Sequence, residues 1–281
     1  MRSQRAWAAI LCFSCICIFA ASALGIELRE KTLEAFNHYI ALTEKRMAGE
    51  LENPSEFLWI DRQPIKSRDE FYGELLSGAI IVQHLETREN SARIPIPGGL
   101  VHHWVALVFV PGVTLSEVLA FMQDYNNQQN IYAPDIQRTR ILSREGEDFK
   151  IYMRLYRKAI VTAVFNAEFD VQYFSLDSSH AYSRSYSTRL AEVVDPGKPT
   201  EHEKPVGNDR GFLWRLNTYS NFEEKDGGVY IQEESIALSR PVPVALAWLV
   251  NPYLRSIPRD YMTHLLQVTR RALTATRPPG K

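Results

Sequence analysis

The feature that most constrains the fold of this chain is a series of long strand-like segments between residues 137 and 239. Polar and apolar side chains alternate along them, which is the pattern of a strand with one buried and one exposed face. Short turn sequences such as Asp226-Gly227-Gly228 separate most of them, so consecutive strands are predicted to pair antiparallel in one sheet. The predicted strands are residues 137–143, 148–158, 162–175, 180–194, 212–223 and 228–239. The longest break, residues 195–211, is rich in proline and glycine and is predicted to be a flexible surface loop.

Helical spacing appears before these strands. Apolar residues from Leu28 to Met47 recur at near-helical spacing among charged residues, so residues 27–51 are predicted to form an amphipathic helix. Ser67 followed by Glu70 has capping-box spacing and predicts a second, short helix. Residues 26–77 are therefore interpreted as an N-terminal helical extension.

Further elements lie between this extension and the strand series, and after it. Residues 79–87 and 102–110 are predicted strands, and Thr114 with Glu117 begins a helix that runs to about Tyr125. A final helix, with Pro258 in its first turn, is predicted to end near Thr274. Residues 276–281 are predicted to be a disordered tail.

This order of elements resembles the START-like superfamily, also called SRPBCC, whose members share the helix-grip fold. Three stretches carry the resemblance, Trp214-Arg215-Leu216-Asn217-Thr218-Tyr219, Asp226-Gly227-Gly228-Val229-Tyr230 and Ile257-Pro258-Arg259-Asp260-Tyr261. It covers residues 78–275 and implies an α+β fold, a curved antiparallel sheet wrapped around a long C-terminal helix. The extension at 26–77 and the loop after Asp195 depart from that minimal domain.

The resemblance further implies an apolar interior that holds a hydrophobic small molecule or lipid, as in related polyketide cyclases, coenzyme Q-binding proteins and lipid-transfer proteins. The residues expected to line it are Phe149, Ile151, Met153, Leu155, Phe165, Phe169, Tyr173, Trp214, Trp248, Tyr253, Tyr261 and Leu265. Periodicity does not distinguish a cavity from a packed core, so both interpretations stay open. The apolar segment 241–254 is either a lid at a pocket mouth or is buried against the final helix.

Polar side chains on the late strands receive two interpretations. Arg184, Arg215 and Glu234 are among several polar residues there, and most are expected to form solvated pairs on the outer face. An arginine that pointed inward would need a partner, because an isolated buried charge is costly, and such a pair could anchor a lipid headgroup.

Several classes of chemistry lack their sequence motifs. The chain has no G-x-S-x-G elbow, no glycine-rich nucleotide loop and no H-E-x-x-H metal motif, so no catalytic residue, cofactor or metal is expected. His102 and His103 are neighbours on a strand and point to opposite faces, so they cannot share one ion. The charge is nearly balanced, which gives no indication of nucleic-acid binding.

Residues 1–25 have the form of a secretory signal peptide. Arg2 and Arg5 precede an uncharged apolar run, and small residues from Ala21 to Ala23 give a cleavage site. An uncleaved membrane anchor is the less favoured alternative, since the run is close to the roughly 20 residues that cross a bilayer. All three cysteines lie within this segment, so the mature chain would form no disulfide.

These features lead to one leading hypothesis. The protein is expected to be periplasmic or secreted, and to bind a hydrophobic small molecule or lipid between its sheet and its C-terminal helix. The alternatives are a cyclase- or hydrolase-like enzyme on the same fold, and a non-catalytic envelope protein that docks a partner through the 27–51 helix. Membrane contact stays open, and the sequence does not indicate an oligomeric state.

Overall fold

A computed structural model describes residues 26–158, 162–241 and 244–275, without the side chains of residues 26, 54 and 244–257. The predicted signal peptide at 1–25 and the predicted tail at 276–281 lie outside the described residues.

One large antiparallel sheet dominates the structure, and its strands follow the predicted series closely. Its bounds are β2 (Ile80–His84), β5 (Leu100–Pro111), β6 (Ile136–Glu145), β7 (Asp148–Lys158), β8 (Thr162–Ser175), β9 (His180–Val194), β12 (Arg215–Lys225) and β13 (Gly228–Ser239). In space their order is β2-β5-β13-β12-β9-β8-β7-β6, so only the β5–β13 contact joins strands far apart in sequence. Local turn chemistry therefore specifies most of the sheet. For example, in the turn between β8 and β9 the Asp177 carboxylate accepts hydrogen bonds from the backbone N–H groups of Ser179 and His180.

Five α-helices flank the sheet in the described part of the chain. They are α1 (Glu30–Leu51), α2 (Ile65–Leu76), α3 (Leu115–Gln123), α4 (Gln128–Ile131) and α5 (Val244–Ala275). The capping box of Thr114 and Glu117 is confirmed, since each side chain bonds the other's backbone N–H. The predicted short helix is confirmed as α2, but it begins at Ile65, directly after Pro64, so Ser67 and Glu70 lie inside it and do not form its capping box.

The start of the last helix also differs from the prediction. Pro258 was expected in its first turn, but α5 begins at Val244 and continues through Pro252 and Pro258. A proline removes one backbone donor and bends a helix, and the helix can continue on both sides of it.

The predicted loop at 195–211 is partly ordered by pairing, so its description as a flexible loop is corrected. Residues His202–Glu203 form β10 against β9, and Asn208–Asp209 form β11 against β1 (Ile26–Glu27). A short hairpin, β3 (Arg88–Glu89) with β4 (Ala92–Arg93), lies between β2 and β5. The loop backbone therefore pairs both with β9 of the sheet and with β1, which precedes α1.

Each face of the sheet is covered by a different part of the chain. Side chains such as Ala106, Phe165, Phe222 and Ile231 point inward and form the main core with α3, α4 and α5. On the outer face, residues of the N-terminal extension cover β5, β12 and β13 in two further clusters. The molecule is thus an α+β helix-grip structure, a curved sheet around a C-terminal helix, with an added outer layer.

Candidate functional site

The interior between the sheet and α5 contains most of the predicted lining residues. The fully buried ones are Phe149, Ile151, Leu155, Phe165, Phe169 and Tyr173, and Met153, Tyr261 and Leu265 are partly buried against the same core. Alternation along β7 and β8 places them there, because inward positions recur every second residue. The structure therefore brings nine of the twelve residues together around one interior.

The remaining three predicted residues do not lie in this group. Trp214 lies on the outer side, in a cluster with Phe36 and Leu238, and its indole N–H donates to Asp209 at 3.1 Å. This placement corrects the prediction. Since β12 begins only at Arg215, strand alternation does not fix the direction of Trp214. The side chains of Trp248 and Tyr253 lie outside the described part of the chain.

At the centre of the inner face, bulky apolar residues give way to small hydroxyl residues. Ser185 pairs across the sheet with Thr218, and Thr218 pairs with Ser235. In the next row Ser183 pairs with Ser220. These five residues, Ser183, Ser185, Thr218, Ser220 and Ser235, are called the hydroxyl row here.

The hydroxyl row has buried and accessible members: Ser183 and Ser220 are each 6% exposed, and the other three are only partly buried. Ser185, Thr218 and Ser235 keep accessible surface, whereas the inward residues Phe222 and Ile231, further along the same strands, have at most 1% exposure. Small side chains on a concave face leave space between the sheet and the covering helix. The centre of the inner face therefore borders accessible space lined by hydroxyl groups.

Glu233 is the one carboxylate that belongs to this central region of the described inner face. It is inward on β13, and its neighbours across the sheet are Ser220 on one side and Ala106 on the other. Among the described residues, none donates a hydrogen bond to its carboxylate, and none forms an ion pair with it, so burial is the cause that acts on its pKa. Protein encloses the side chain and burial raises its pKa to about 7, yet the residue is partly accessible, as expected of a group that faces internal space.

Tyrosine hydroxyls surround the rest of the interior in satisfied pairs. Tyr125 and Tyr173 share a hydrogen bond of 2.8 Å, and Tyr132 shares one of the same length with Thr269 of α5. Burial raises the pKa of Tyr132, and the negative charge of Glu233 raises it further. These hydroxyls remain neutral donors or acceptors at physiological pH.

Charged groups lie at one edge of the interior, beside α5. The Arg157 guanidinium stacks over the Tyr261 ring at 3.6 Å from its centroid and contacts Asp135 at 3.3 Å. Asp135 also lies 3.4 Å from His264. Burial raises the pKa of Tyr261, the charge of Arg157 lowers it and the charge of Glu233 raises it. Arg157, Asp135 and His264 thus place charged groups at this edge of the interior, whereas Glu233 lies at the centre of the inner face.

The outer face also contains buried polar groups, which form one network. The Glu234 carboxylate accepts from His103 at 2.6 Å and from Arg46 of α1. Arg46 also contacts Glu50 at 2.8 Å, and Glu50 pairs with Arg62 at 2.8 Å. We call Arg46, Glu50, Arg62, His103 and Glu234 the outer network. Its contacts join α1 and the following turn to β5 and β13, which is a structural role.

The polar residues of the late strands therefore differ in part from their expected state. Arg184, Arg215 and Glu234 lie on the outer face, as expected, but Glu234 is 1% exposed rather than solvated. One of its two partners, Arg46, comes from the N-terminal extension, 188 residues earlier. Sequence patterns along β13 carry no signal for such a partner.

Residues of the hydroxyl row and Glu233 were not among the predicted site residues. A signal was available, because Ser183, Ser185 and Ser187 occupy alternate positions on β9, where apolar residues would be expected on a core-facing side. Glu233, beside Glu234, resembles one more solvated charge until the pairing of β13 fixes its direction.

The part of the chain that the structure describes contains neither a candidate metal cluster nor a candidate membrane-spanning helix. No group of three or more His, Cys, Asp or Glu side chains there could hold a metal ion. Within the same residues, no helix combines the length and the apolar character that a membrane crossing requires.

Comparisons with known proteins yield structural neighbours only. No protein-family model and no curated protein matches the chain. A STAR-related lipid transfer protein from Xanthomonas axonopodis is similar at 15% identity and a TM-score of 0.43, over 69% of this chain and 98% of its own. Human STARD10 is similar at 10% identity and a TM-score of 0.43, over 76% and 81%. The Zhui aromatase/cyclase from Streptomyces is similar at 13% identity and a TM-score of 0.40, over 64% and 99%. At these values we transfer neither a ligand nor a reaction from the neighbours to this chain.

Proposed function

We propose that this protein is exported and binds a hydrophobic small molecule or lipid between the concave face of the sheet and α5. The observation that carries this proposal is the accessible centre of the inner face, where the hydroxyl row and Glu233 interrupt an otherwise buried core. An apolar wall with a few convergent polar groups is the usual composition of a small-molecule site.

The surrounding residues support an apolar ligand with limited polarity. Phe165, Phe169 and Met153 supply apolar surface, and Met adapts readily to irregular shapes. The hydroxyl row can donate or accept a few hydrogen bonds at one end of the molecule. Export is proposed from the signal-like sequence at residues 1–25, and the periplasm or the medium is the expected compartment.

Native mass spectrometry of the purified protein, followed by organic extraction, tests this function. We expect a bound mass that organic solvent releases. A Ser235→Phe variant should lose that mass, because the ring would occupy the accessible space beside Thr218. The matched control is Ser143→Phe, at an exposed position of β6, and this variant should keep the bound mass. An empty protein that also fails to bind an apolar fluorescent probe would contradict the proposal.

Export is tested separately by fractionation and N-terminal sequencing. The mature protein is expected outside the cytoplasm and should begin between residues 22 and 27. Full-length protein in the membrane fraction would instead support the anchor alternative.

A second candidate function is acid–base catalysis on the same fold, and Glu233 is the observation that favours it. A carboxyl group with a pKa of about 7 can donate or accept a proton at neutral pH. Incubating the extracted ligand with wild-type protein and with Glu233→Gln distinguishes the two functions. A new product mass that forms only with the wild type would indicate an enzyme.

A further inference from the structure

Glu233 occupies a position that structural needs do not explain. It projects from the middle of β13 into the interior, with the small side chains of Ala106 and Ser220 beside it on the neighbouring strands. The next inward residues along β13, Ile231 and Val229, are buried and apolar. A leucine at this position would continue that core, so a carboxyl group here is a departure that needs a chemical reason.

Among the described residues, none of the groups that share the face or the surroundings of Glu233 is hydrogen-bonded to its carboxylate or forms an ion pair with it. Tyr132, after α4, and Tyr261, on α5, are neutral hydroxyls, and both sense the charge of Glu233. His84 of β2 and His102 of β5 share its face of the sheet, and Ser239 bonds His102 at 2.9 Å. Burial, then the charge of His84, lowers the pKa of His102 to about 4, so His102 is neutral near pH 7.

Burial raises the pKa of Glu233 and no described cation pairs with it, so the protonated carboxylic acid is favoured over the carboxylate. A protonated carboxylic acid has one O–H donor, and in an apolar interior that donor needs an acceptor. The hydroxyl row extends away from Glu233 over Thr218, Ser185 and Ser235 and supplies further neutral donors along the same face. A charged ligand amine would bring a second desolvated charge into this interior, which is costly.

We propose that Glu233 donates a hydrogen bond from its carboxylic O–H to an oxygen acceptor of the bound molecule. This inference rests on the proposed binding function and specifies its ligand class. The ligand is an uncharged apolar compound with a carbonyl-type oxygen near one end. That oxygen lies at Glu233 with the hydroxyl row beside it, and the apolar part contacts the core residues of β7 and β8.

Two uncharged fluorescent probes test this assignment on the purified protein. The first is Prodan, a naphthalene ketone whose emission shifts when its carbonyl accepts a hydrogen bond. The second is N-phenyl-1-naphthylamine, which is similarly apolar and has no carbonyl. If only protein with protonated Glu233 binds the ketone, its dissociation constant should rise by about 30-fold between pH 5.5 and 8.5, since the competent fraction falls by that factor.

Variants assign the pH dependence to a residue. Glu233→Gln keeps an N–H donor at every pH, so its Prodan affinity should become independent of pH. The control Glu145→Gln, on an exposed part of β6, should keep the wild-type pH dependence. Circular dichroism and thermal unfolding are the measurements that check whether both variants are folded.

Each outcome bears on a distinct claim. If N-phenyl-1-naphthylamine binds but Prodan shows no pH dependence, or if the dependence persists in Glu233→Gln, the role of Glu233 is wrong and the binding function stands. Tighter Prodan binding at high pH would also overturn it, since an ionised carboxylate cannot donate. If neither probe binds, the proposed function and this inference fail together.

Discussion

Glu233 and Glu234 are neighbours in the sequence, but the two faces of β13 give them opposite protonation. Burial raises the pKa of Glu233 to about 7. Burial would also raise the pKa of Glu234, but the hydrogen bond from His103 and the charge of Arg46 outweigh it and lower that pKa. The two pKa values differ because Arg46 and His103 contact Glu234 on the outer face, whereas no described cation pairs with Glu233 on the inner face.

Replacement of Glu233 by Gln should stabilise the protein at high pH. The folded state retains a proton up to about pH 7, whereas the unfolded chain releases it near its ordinary pKa of 4.5. Wild-type stability therefore falls as the pH rises through this interval. The effect of Glu233→Gln on the free energy of unfolding is the difference between variant and wild type. We expect this effect to be more stabilising at pH 8 than at pH 4 by about 1–3 kcal/mol. Urea denaturation at both pH values measures this difference, and an equal effect at both would contradict a raised pKa.

Loss of Glu234 should have the opposite consequence. Glu234→Ala leaves His103 and Arg46 without their shared acceptor in a buried position. Removal of one partner from a buried ionic network costs about 3–5 kcal/mol, and urea denaturation should show it. The matched comparison is Lys150→Met, which breaks an exposed pair with Asp170 and should leave the urea midpoint unchanged. Equal effects of the two substitutions would show that the outer network contributes little.

The space around two glycines differs between a paired strand and an exposed part of a helix. Gly228 begins β13 opposite Pro111, where a Cβ atom would collide with the carbonyl oxygen of Val110. Gly49 lies inside α1 with open space around its position. Glycine is therefore required by packing in the strand and not in the helix.

Alanine substitutions at these glycines should change stability in opposite directions. Gly228→Ala is expected to destabilise the protein by about 1–3 kcal/mol, because the clash is with backbone of a paired strand. Gly49→Ala should stabilise it by about 0.5–1 kcal/mol, since alanine loses less backbone entropy in a helix. Thermal unfolding of both variants in one buffer measures the two effects. A stabilised Gly228→Ala would mean that β5 and β13 are further apart than described.

At the scale of the whole molecule, the N-terminal extension is a layer of the fold. Phe36, Tyr39 and Ile40 of α1 pack against β12 and β13, and Phe57, Leu58 and Ile60 pack against β5. Side chains of the sheet also satisfy the extension's backbone: Asn221 donates to the carbonyl of Phe57 at 2.8 Å. This layer therefore covers the apolar part of the outer face, which lies mainly on β5, β12 and β13.

A protein that begins at residue 78 should therefore fail to fold stably. Its sheet would expose the outer apolar clusters and would leave Glu234 without Arg46. We expect loss of near-ultraviolet circular dichroism and aggregation in size-exclusion chromatography. A folded, monomeric fragment would instead support the alternative in which the 27–51 helix is a separable docking element.

Much of the sheet could be predicted because its signals are local. The predicted bounds of β7, β8, β9 and β13 agree with the structure, since alternation defines each strand and a short turn ends it. The same alternation placed Phe149 and Phe165 inside. The start of α5 was missed because Asn251-Pro252 resembles a helix end in the local sequence, and the continuation of the helix is not encoded there.

The sequence by itself determined which strands form, how neighbours pair and which side of each strand is apolar, because turn chemistry and period-two alternation act over a few residues. Only the tertiary structure decided the environment of the polar groups. It placed Glu234 in a buried network and Glu233 in the interior, beside a row of hydroxyls from three strands. Burial and charge pairing depend on segments far apart in the chain, so the protonation and the binding role of a side chain follow from what packs over it.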